Sequence, residues 1–256
     1  MSLHVDMHGD TGSTLLFIHG WGMHSGMWGN ALEILGQQFR VLAVDLPGHG
    51  YSREDGTAGT IDGVVDRLSE QFPGVHAVCG WSLGGQVALR WAKRYPGQVD
   101  RLVLVSSTPC FVQKEDWRSA MPEKTLADFS NALMQDYAAT LRRFLSLQLR
   151  GSENERESLL TLRQSLMMRG VPDMAALQAG LFMLRDVDLR DELADIHQPT
   201  LVVAGDRDTL TPLPASQYIA EKLLDARFSA IAGAAHAPFL SHTEAFVKRV
   251  TEFLHE

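Results

Sequence analysis

Cysteine is scarce in this chain: two residues in 256, Cys79 and Cys110. Two cysteines cannot build a disulfide framework, and such usage fits a reducing compartment. Cys79, inside an apolar run, is expected to be a small buried hydrophobe. Long apolar runs are missing too. No window approaches the ~18 apolar residues that a bilayer-spanning helix needs. The stretch Met1-Ser2-Leu3-His4-Val5-Asp6 has neither a basic n-region nor an apolar core. No membrane partner is therefore expected, and a cytoplasmic location is. Positive charge is in deficit: 23 basic against 31 acidic residues give a net charge of −8, which disfavours nucleic acid as a partner. There is no Gly-x-x-x-x-Gly-Lys loop, the glycines near residue 82 do not match a dinucleotide fingerprint, and no His/Cys/carboxylate spacing suggests a metal site. Neither a cofactor nor a metal is expected. Internal repeats and low-complexity tracts are absent.

What is present is an alternation. Apolar residues make up 45% of the chain, enough for one large core. Short apolar runs at 14–18, 41–44, 76–79, 102–105, 201–204 and 228–231 alternate with helix-period segments near 27–38, 60–72, 85–95, 214–225 and 243–254. Several runs are apolar throughout, as parallel strands covered on both faces are. The pattern predicts an α/β fold with a doubly wound, mostly parallel sheet. It breaks between Phe111 and about Arg185. There Leu126, Phe129, Leu133 and Tyr137 form one helical stripe, and Leu159, Leu162 and Leu166 another. The expected organisation is a core of residues 1–111 and 186–256 with an all-helical lid, 112–185, over the carboxyl ends of the strands, where ligands of open α/β sheets bind.

The most informative stretch is Gly80-Trp81-Ser82-Leu83-Gly84, between the run Val75-His76-Ala77-Val78-Cys79 and the helix-like Gln86-Val87-Ala88-Leu89. Strand, sharp turn and helix are the context in which Gly-x-Ser-x-Gly is a nucleophile elbow. The serine must take a strained backbone, and a Cβ at either glycine would collide with a neighbouring element. A serine hydroxyl needs an adjacent base, and the base needs a third group to orient it. The order Ser, acid, His is met downstream. His236 follows the last expected strand in the loop Gly233-Ala234-Ala235-His236-Ala237-Pro238, where small neighbours leave it room to approach Ser82. After the preceding strand, Gly205-Asp206-Arg207-Asp208 offers two acids. Asp208 is the better third member, with Asp206 the alternative. The oxyanion needs two backbone N–H donors; Leu83 and Trp21, the latter in His19-Gly20-Trp21-Gly22, are placed to supply them. His19 is expected to hold its loop by hydrogen bonds. Asp45-Leu46-Pro47-Gly48-His49-Gly50 reads as a structural turn and His49 as non-catalytic. The chemistry implied is acyl transfer to water.

Charge is uneven. Between Tyr137 and Arg169 lie Arg142, Arg143, Arg150, Arg156, Arg163 and Arg169 against Glu153, Glu155 and Glu157, a local +3 on an acidic chain. If both stretches are helical, Arg143 and Arg150, like Arg156 and Arg163, share a face ~10.5 Å apart along the axis. Such a rim would attract carboxylates or phosphates.

Across nearly its full length the chain resembles the α/β-hydrolases. More closely it resembles the family of carboxylesterases that act on pimeloyl-[acyl-carrier protein] methyl ester in bacterial biotin synthesis. Ser106-Ser107-Thr108-Pro109-Cys110-Phe111 and Arg143-Phe144-Leu145-Ser146-Leu147-Gln148 carry the narrower likeness, with Val187-Asp188-Leu189-Arg190 and Ala234-Ala235-His236-Ala237-Pro238-Phe239 beside them. The resemblance implies Ser82, Asp208 and His236 as the catalytic set and the N–H groups of Trp21 and Leu83 as oxyanion donors. It also implies substrate contacts from Trp21, Ser82, Leu83, Phe144 and His236, and carrier-protein contacts from Arg143 and Arg156. Two other arginine positions of that family fall on Ala139 and Leu160, and Arg142, Arg150 and Arg163 are the candidates to replace them. The implied partner is acyl carrier protein bearing the ester; a monomer is expected. A broad short-chain esterase or carbon–carbon bond hydrolase would use the same triad, and a non-catalytic ligand receptor could keep the same fold.

Overall fold

The computed structural model describes residues 2–55, 58–170 and 172–256. Among these residues, seven strands form one sheet. β1 (Val5–His8), β2 (Thr14–Ile18) and β3 (Arg40–Val44) come first, with the short helix α1 (Ala31–Leu35) before β3. Helix α2 (Ile61–Gln71) leads to β4 (Val75–Trp81), α3 (Leu83–Arg94) and β5 (Val99–Val105). Four helices follow: α4 (Glu123–Gln135), α5 (Tyr137–Leu149), α6 (Glu155–Met168) and α7 (Met174–Asp186). The sheet then resumes with β6 (Thr200–Gly205), α8 (Leu213–Lys222) and β7 (Ala226–Ile231), and the chain ends in α9 (Pro238–Ser241) and α10 (Thr243–Leu254).

The strand order is β1-β3-β2-β4-β5-β6-β7. β1 pairs antiparallel with β3, and every other pair is parallel. The chain winds outward from β2 to β3 and then crosses back to β4, so β2 and β4 flank a switch point, where open sheets place their sites. Register brings the strand ends level: Ile18 pairs with Gly80, Trp81 with Val105, and Val105 with Val203. The loops after β2, β4 and β6 therefore meet at one edge. Leu15, Leu16, Val78, Leu102, Leu104, Val105 and Val202 are sealed from solvent on both faces of the sheet, which is why these strands lack alternation.

Three expectations need correction. The chain also has β1, half-buried at the sheet's edge, which the apolar runs did not reveal. The helix expected near 27–38 is interrupted: a 3₁₀ turn at Ser25–Trp28 ends at Gly29, whose φ of +59° cannot continue a right-handed helix, and α1 is only five residues long. The segment between β5 and β6 is not helical from its start either. Val112 bridges Met121 and Lys114 bridges Trp117, and the Trp117 indole donates to the Cys110 carbonyl at 2.8 Å. Helix begins only after Pro122. From there local signals act as expected: the Asp136 side chain caps α5 through Ala139 N–H, and that of Asp173 caps α7 through Ala175 and Ala176 N–H, each cap contributing about 1 kcal/mol. Among the described residues, no helix is long and apolar enough to cross a membrane.

Candidate active site

The elbow forms because β4 ends against α3 with no room for side chains. A Cβ on Gly80 would lie 2.2 Å from the Gly84 carbonyl oxygen, and one on Gly84 2.2 Å from that of Ile18. Between them Ser82 has φ 56° and ψ −117°, a conformation that costs an L-residue of order 1–3 kcal/mol and persists only when its surroundings enforce it. Here they do. Ser82 N–H donates to the Val105 carbonyl at 2.9 Å, and the Ser82 carbonyl accepts from Gly85 N–H at 2.9 Å and from the Ser107 hydroxyl at 2.9 Å. The serine sits at the N-terminus of α3, where the helix dipole favours negative charge.

The loop after β2 lies directly against the serine: a Cβ on Gly20 would be 3.3 Å from Ser82 Cβ. Trp21 follows, buried, its indole N–H donating to the Leu177 carbonyl of α7 at 2.8 Å. Its ring meets Phe129 of α4 and Phe144 of α5 edge-on, at centroid separations of 5.3 and 5.0 Å. His19 anchors this loop: its Nε2 accepts from Leu46 N–H at 3.0 Å and its Nδ1 lies 2.8 Å from the Gly20 carbonyl. Burial first, and then the neighbouring His49, push the His19 ring down to about 3, so it stays neutral. His49, held at its Nδ1 by the Pro47 carbonyl, is likewise pushed down by burial.

His236 is brought to the same place by three contacts. Its N–H donates to the Gln148 carbonyl at the end of α5 (2.9 Å), its carbonyl accepts the Trp81 indole N–H (2.9 Å), and its ring lies 5.8 Å from that indole. His236 is thus seated on the residue preceding Ser82. Its Nδ1 is 2.7 Å from Asp208 Oδ2, with both side chains essentially sealed from solvent. That commits Nδ1 to the carboxylate and leaves Nε2 as the ring atom that can take a proton. Asp208 Oδ1 accepts from Leu210 and Thr211 N–H. Asp206 plays another part: its Oδ1 accepts from Gly233 N–H at 2.8 Å, stapling the histidine loop to the β6 loop.

Beside Trp21 opens a cavity of about 400 Å³ of empty space, mouth included, walled by apolar surface of Trp21, Phe111, Phe129, Phe144, Leu147 and Leu184. Thr125, Phe129 and Leu147 also border an outer groove between α4 and α5, where Arg143 stands. Arg142, Arg150 and Arg156 are exposed like Arg143, and Arg163 donates to the Ser146 hydroxyl at 3.3 Å. Arg169 departs from the sequence picture of a basic rim. It turns inward, forming ion pairs with Asp6 and with the fully buried Asp45, donating to the Ser25 hydroxyl and stacking on Tyr51. Charge counting could not separate it from its surface neighbours. Two further participants had no sequence argument: the Gln148 carbonyl and the Thr211 hydroxyl. A hydroxyl three residues after an acid, before a proline, is a turn signal that could have drawn notice to Thr211. Among the described residues, no group of three or more His, Cys, Asp or Glu is gathered to hold a metal.

A strained elbow serine, a buried histidine–carboxylate pair and an apolar cavity at a switch point define a carboxylic ester hydrolase of the α/β-hydrolase type. The alpha/beta hydrolase fold family matches residues 13–243. The chain is 46% identical to the pimeloyl-[acyl-carrier protein] methyl ester esterase of Nitrosomonas europaea, over 96% of this chain and 97% of that one. It is 36% identical to the protein of that name from Aliivibrio fischeri, over 100% and 98%. Among solved structures it resembles a hydrolase from Pseudomonas aeruginosa PA01 (TM-score 0.85, 28% identity, 99% of this chain and 94% of that one). An esterase from Exiguobacterium antarcticum (TM-score 0.89, 22% identity, 99% and 96%) shares the fold. The chain belongs to the α/β-hydrolase-fold family and, within it, to the pimeloyl-[acyl-carrier protein] methyl ester esterases.

Proposed function

We propose that this protein hydrolyses the methyl ester of a pimeloyl chain carried on acyl carrier protein, a step of biotin synthesis, acting as a cytoplasmic monomer without a cofactor. Ser82 Oγ attacks the ester carbonyl while His236 Nε2 takes its proton. Asp208 holds the imidazole in the tautomer with hydrogen on Nδ1 and stabilises the imidazolium. The N–H groups of Trp21 and Leu83 receive the oxyanion. His236 then returns the proton to departing methanol, activates a water against the acyl-enzyme, and Ser82 is regenerated as the free carboxylate leaves. Residues 112–185 serve as the lid and residues 1–111 and 186–256 as the core. The methylene chain lies along Trp21 and Phe144, and the carrier docks outside, its acidic surface facing Arg143 and Arg156.

The observation that carries this reading is the 2.7 Å His236–Asp208 pair, its histidine bonded to the residue before the strained serine; an apolar cavity lined by Trp21 and Phe144, and a neighbouring groove bearing Arg143, support it. Ala139 and the exposed Leu160 replace two arginines of the family's pattern, so Arg142, Arg150 and Arg163 carry the remaining positive charge of the rim. The test compares kcat/KM on carrier-bound and free pimeloyl methyl ester at low and high salt. The carrier-bound ester should be preferred at low salt, and the preference should shrink as rim ion pairs are screened. Equal rates on both, unaffected by salt, would instead identify a generalist esterase.

A further inference from the structure

The Asp208–His236 pair has a third member. The Thr211 hydroxyl, 1% exposed, lies 2.7 Å from Asp208 Oδ2, 3.2 Å from His236 Nδ1 and 3.0 Å from the Ser106 carbonyl. Ser106 itself is held at a φ of 45°, its N–H donating to the Val203 carbonyl at 2.8 Å. A carboxylate offers about four lone-pair sites. On Asp208 all are used: Oδ1 by Leu210 and Thr211 N–H at 2.8 and 3.0 Å, Oδ2 by His236 Nδ1–H and the Thr211 hydroxyl. So filled, the carboxylate cannot turn without losing a bond.

We propose that Thr211 is a positioning residue for the His236 base, its hydroxyl fixing the Asp208 carboxylate against the Ser106 carbonyl. Held at Oδ2, the carboxylate keeps the imidazole ring turned so that Nε2 stays aimed at Ser82, and the contribution to rate is one of orientation. Asp208 is the only ionisable side chain bonded to His236 among the described residues. The other elements packed on the histidine present the Trp81 indole, the Gln148 carbonyl and Thr211, none of which titrates near neutrality.

The inference rests on Ser82, His236 and Asp208 being the reactive set. Its test is Thr211→Val, which keeps the volume and removes the hydroxyl, with Thr211→Ser as the variant that restores it. Two readouts are taken: turnover of 4-nitrophenyl butyrate and the rate of covalent labelling by a fluorophosphonate. The valine variant should lose about tenfold or more in kcat with KM within about twofold. Serine should recover most of the lost kcat. Should valine not fold, Thr211→Ala serves the same comparison, since it removes the hydroxyl and adds no atom. A folded hydroxyl-free variant with wild-type rates, a loss expressed in KM rather than in kcat, or a serine variant as impaired as valine would overturn the proposal. Failure of the wild-type protein to react with the fluorophosphonate would instead remove the triad reading beneath it.

Discussion

Gly180 faces the Trp21 indole from α7, and replacing it with alanine tests how far the helical segment controls the proposed oxyanion loop. A Cβ built there lies 2.6 Å from Trp21 Cδ1 and 3.0 Å from Nε1. Carbon atoms rest at about 3.5–4 Å, so the indole must retreat by about 1 Å. It has little freedom to do so, because its N–H is bonded to the Leu177 carbonyl and its ring packs edge-on with Phe129 and Phe144. Forcing a methyl into such packing costs about 1–3 kcal/mol. Gly→Ala in a helix interior returns about 1 kcal/mol. Net stability should therefore fall by no more than about 2 kcal/mol. Activity should suffer more. Trp21 N–H is the proposed second oxyanion donor, and misplacing such a group by about 1 Å costs about 10²-fold in rate. The assay pairs kcat/KM on 4-nitrophenyl butyrate with urea unfolding of the same preparation. Gly180→Ala with wild-type kcat/KM and undiminished stability would refute the argument, since the methyl would then have been accommodated without moving Trp21.

Other consequences follow from the same geometry. Ser82→Ala should lower kcat by on the order of 10⁶ and abolish fluorophosphonate labelling; retention of near-normal turnover would exclude Ser82 as nucleophile. Arg169→Met leaves the fully buried Asp45 without its cation, which should cost about 3–5 kcal/mol in urea unfolding; a change under about 1 kcal/mol would show the ion pair to be dispensable. Stability should also fall in acid well before the carboxylates titrate. Burial holds His24 at about 4 and His19 at about 3, against a usual value of 6.5. The unfolded chain therefore takes up protons first as the pH drops. This part of the stability is complete above about pH 6.5 and is lost progressively toward pH 4, so Tm should decline across that window at constant ionic strength. A flat Tm would mean that these rings are protonated in the folded protein.

Most of the sheet was legible because parallel strands buried on both faces read as apolar runs; all six runs lie within strands, that of the partly exposed edge strand β7 included. β1 escaped because an edge strand of three half-buried residues and one exposed one, Met7, has no such run. The helix near 27–38 was misjudged because apolar spacing there outweighed a single glycine, and the positive φ of Gly29 decides the matter. At the site, spacing alone left Asp206 and Asp208 as alternatives. They lie two residues apart on one loop, and only the turn after β6 aims one at His236 and the other at Gly233 N–H. Arg169 could not be told from its exposed neighbours, because what pulls it inward is Asp6 and Asp45, more than a hundred residues earlier. The Gln148 bond to His236 was invisible for a similar reason: it uses a backbone carbonyl, which every residue possesses.

That bond has a consequence for protein engineering. The turn after α5 is sewn to the reactive loops at several points: the Gln148 carbonyl to His236 N–H, Glu153 N–H to the Gly233 carbonyl, the Arg207 guanidinium to the Gly151 carbonyl, and the Asn154 amide to the Ser241 carbonyl. On the side of residues 112–185, three of these four bonds use backbone groups and only Asn154 uses its side chain. A chimera carrying a relative's helices would therefore have to reproduce the path of this turn, more than its sequence, to keep the His236 loop in place.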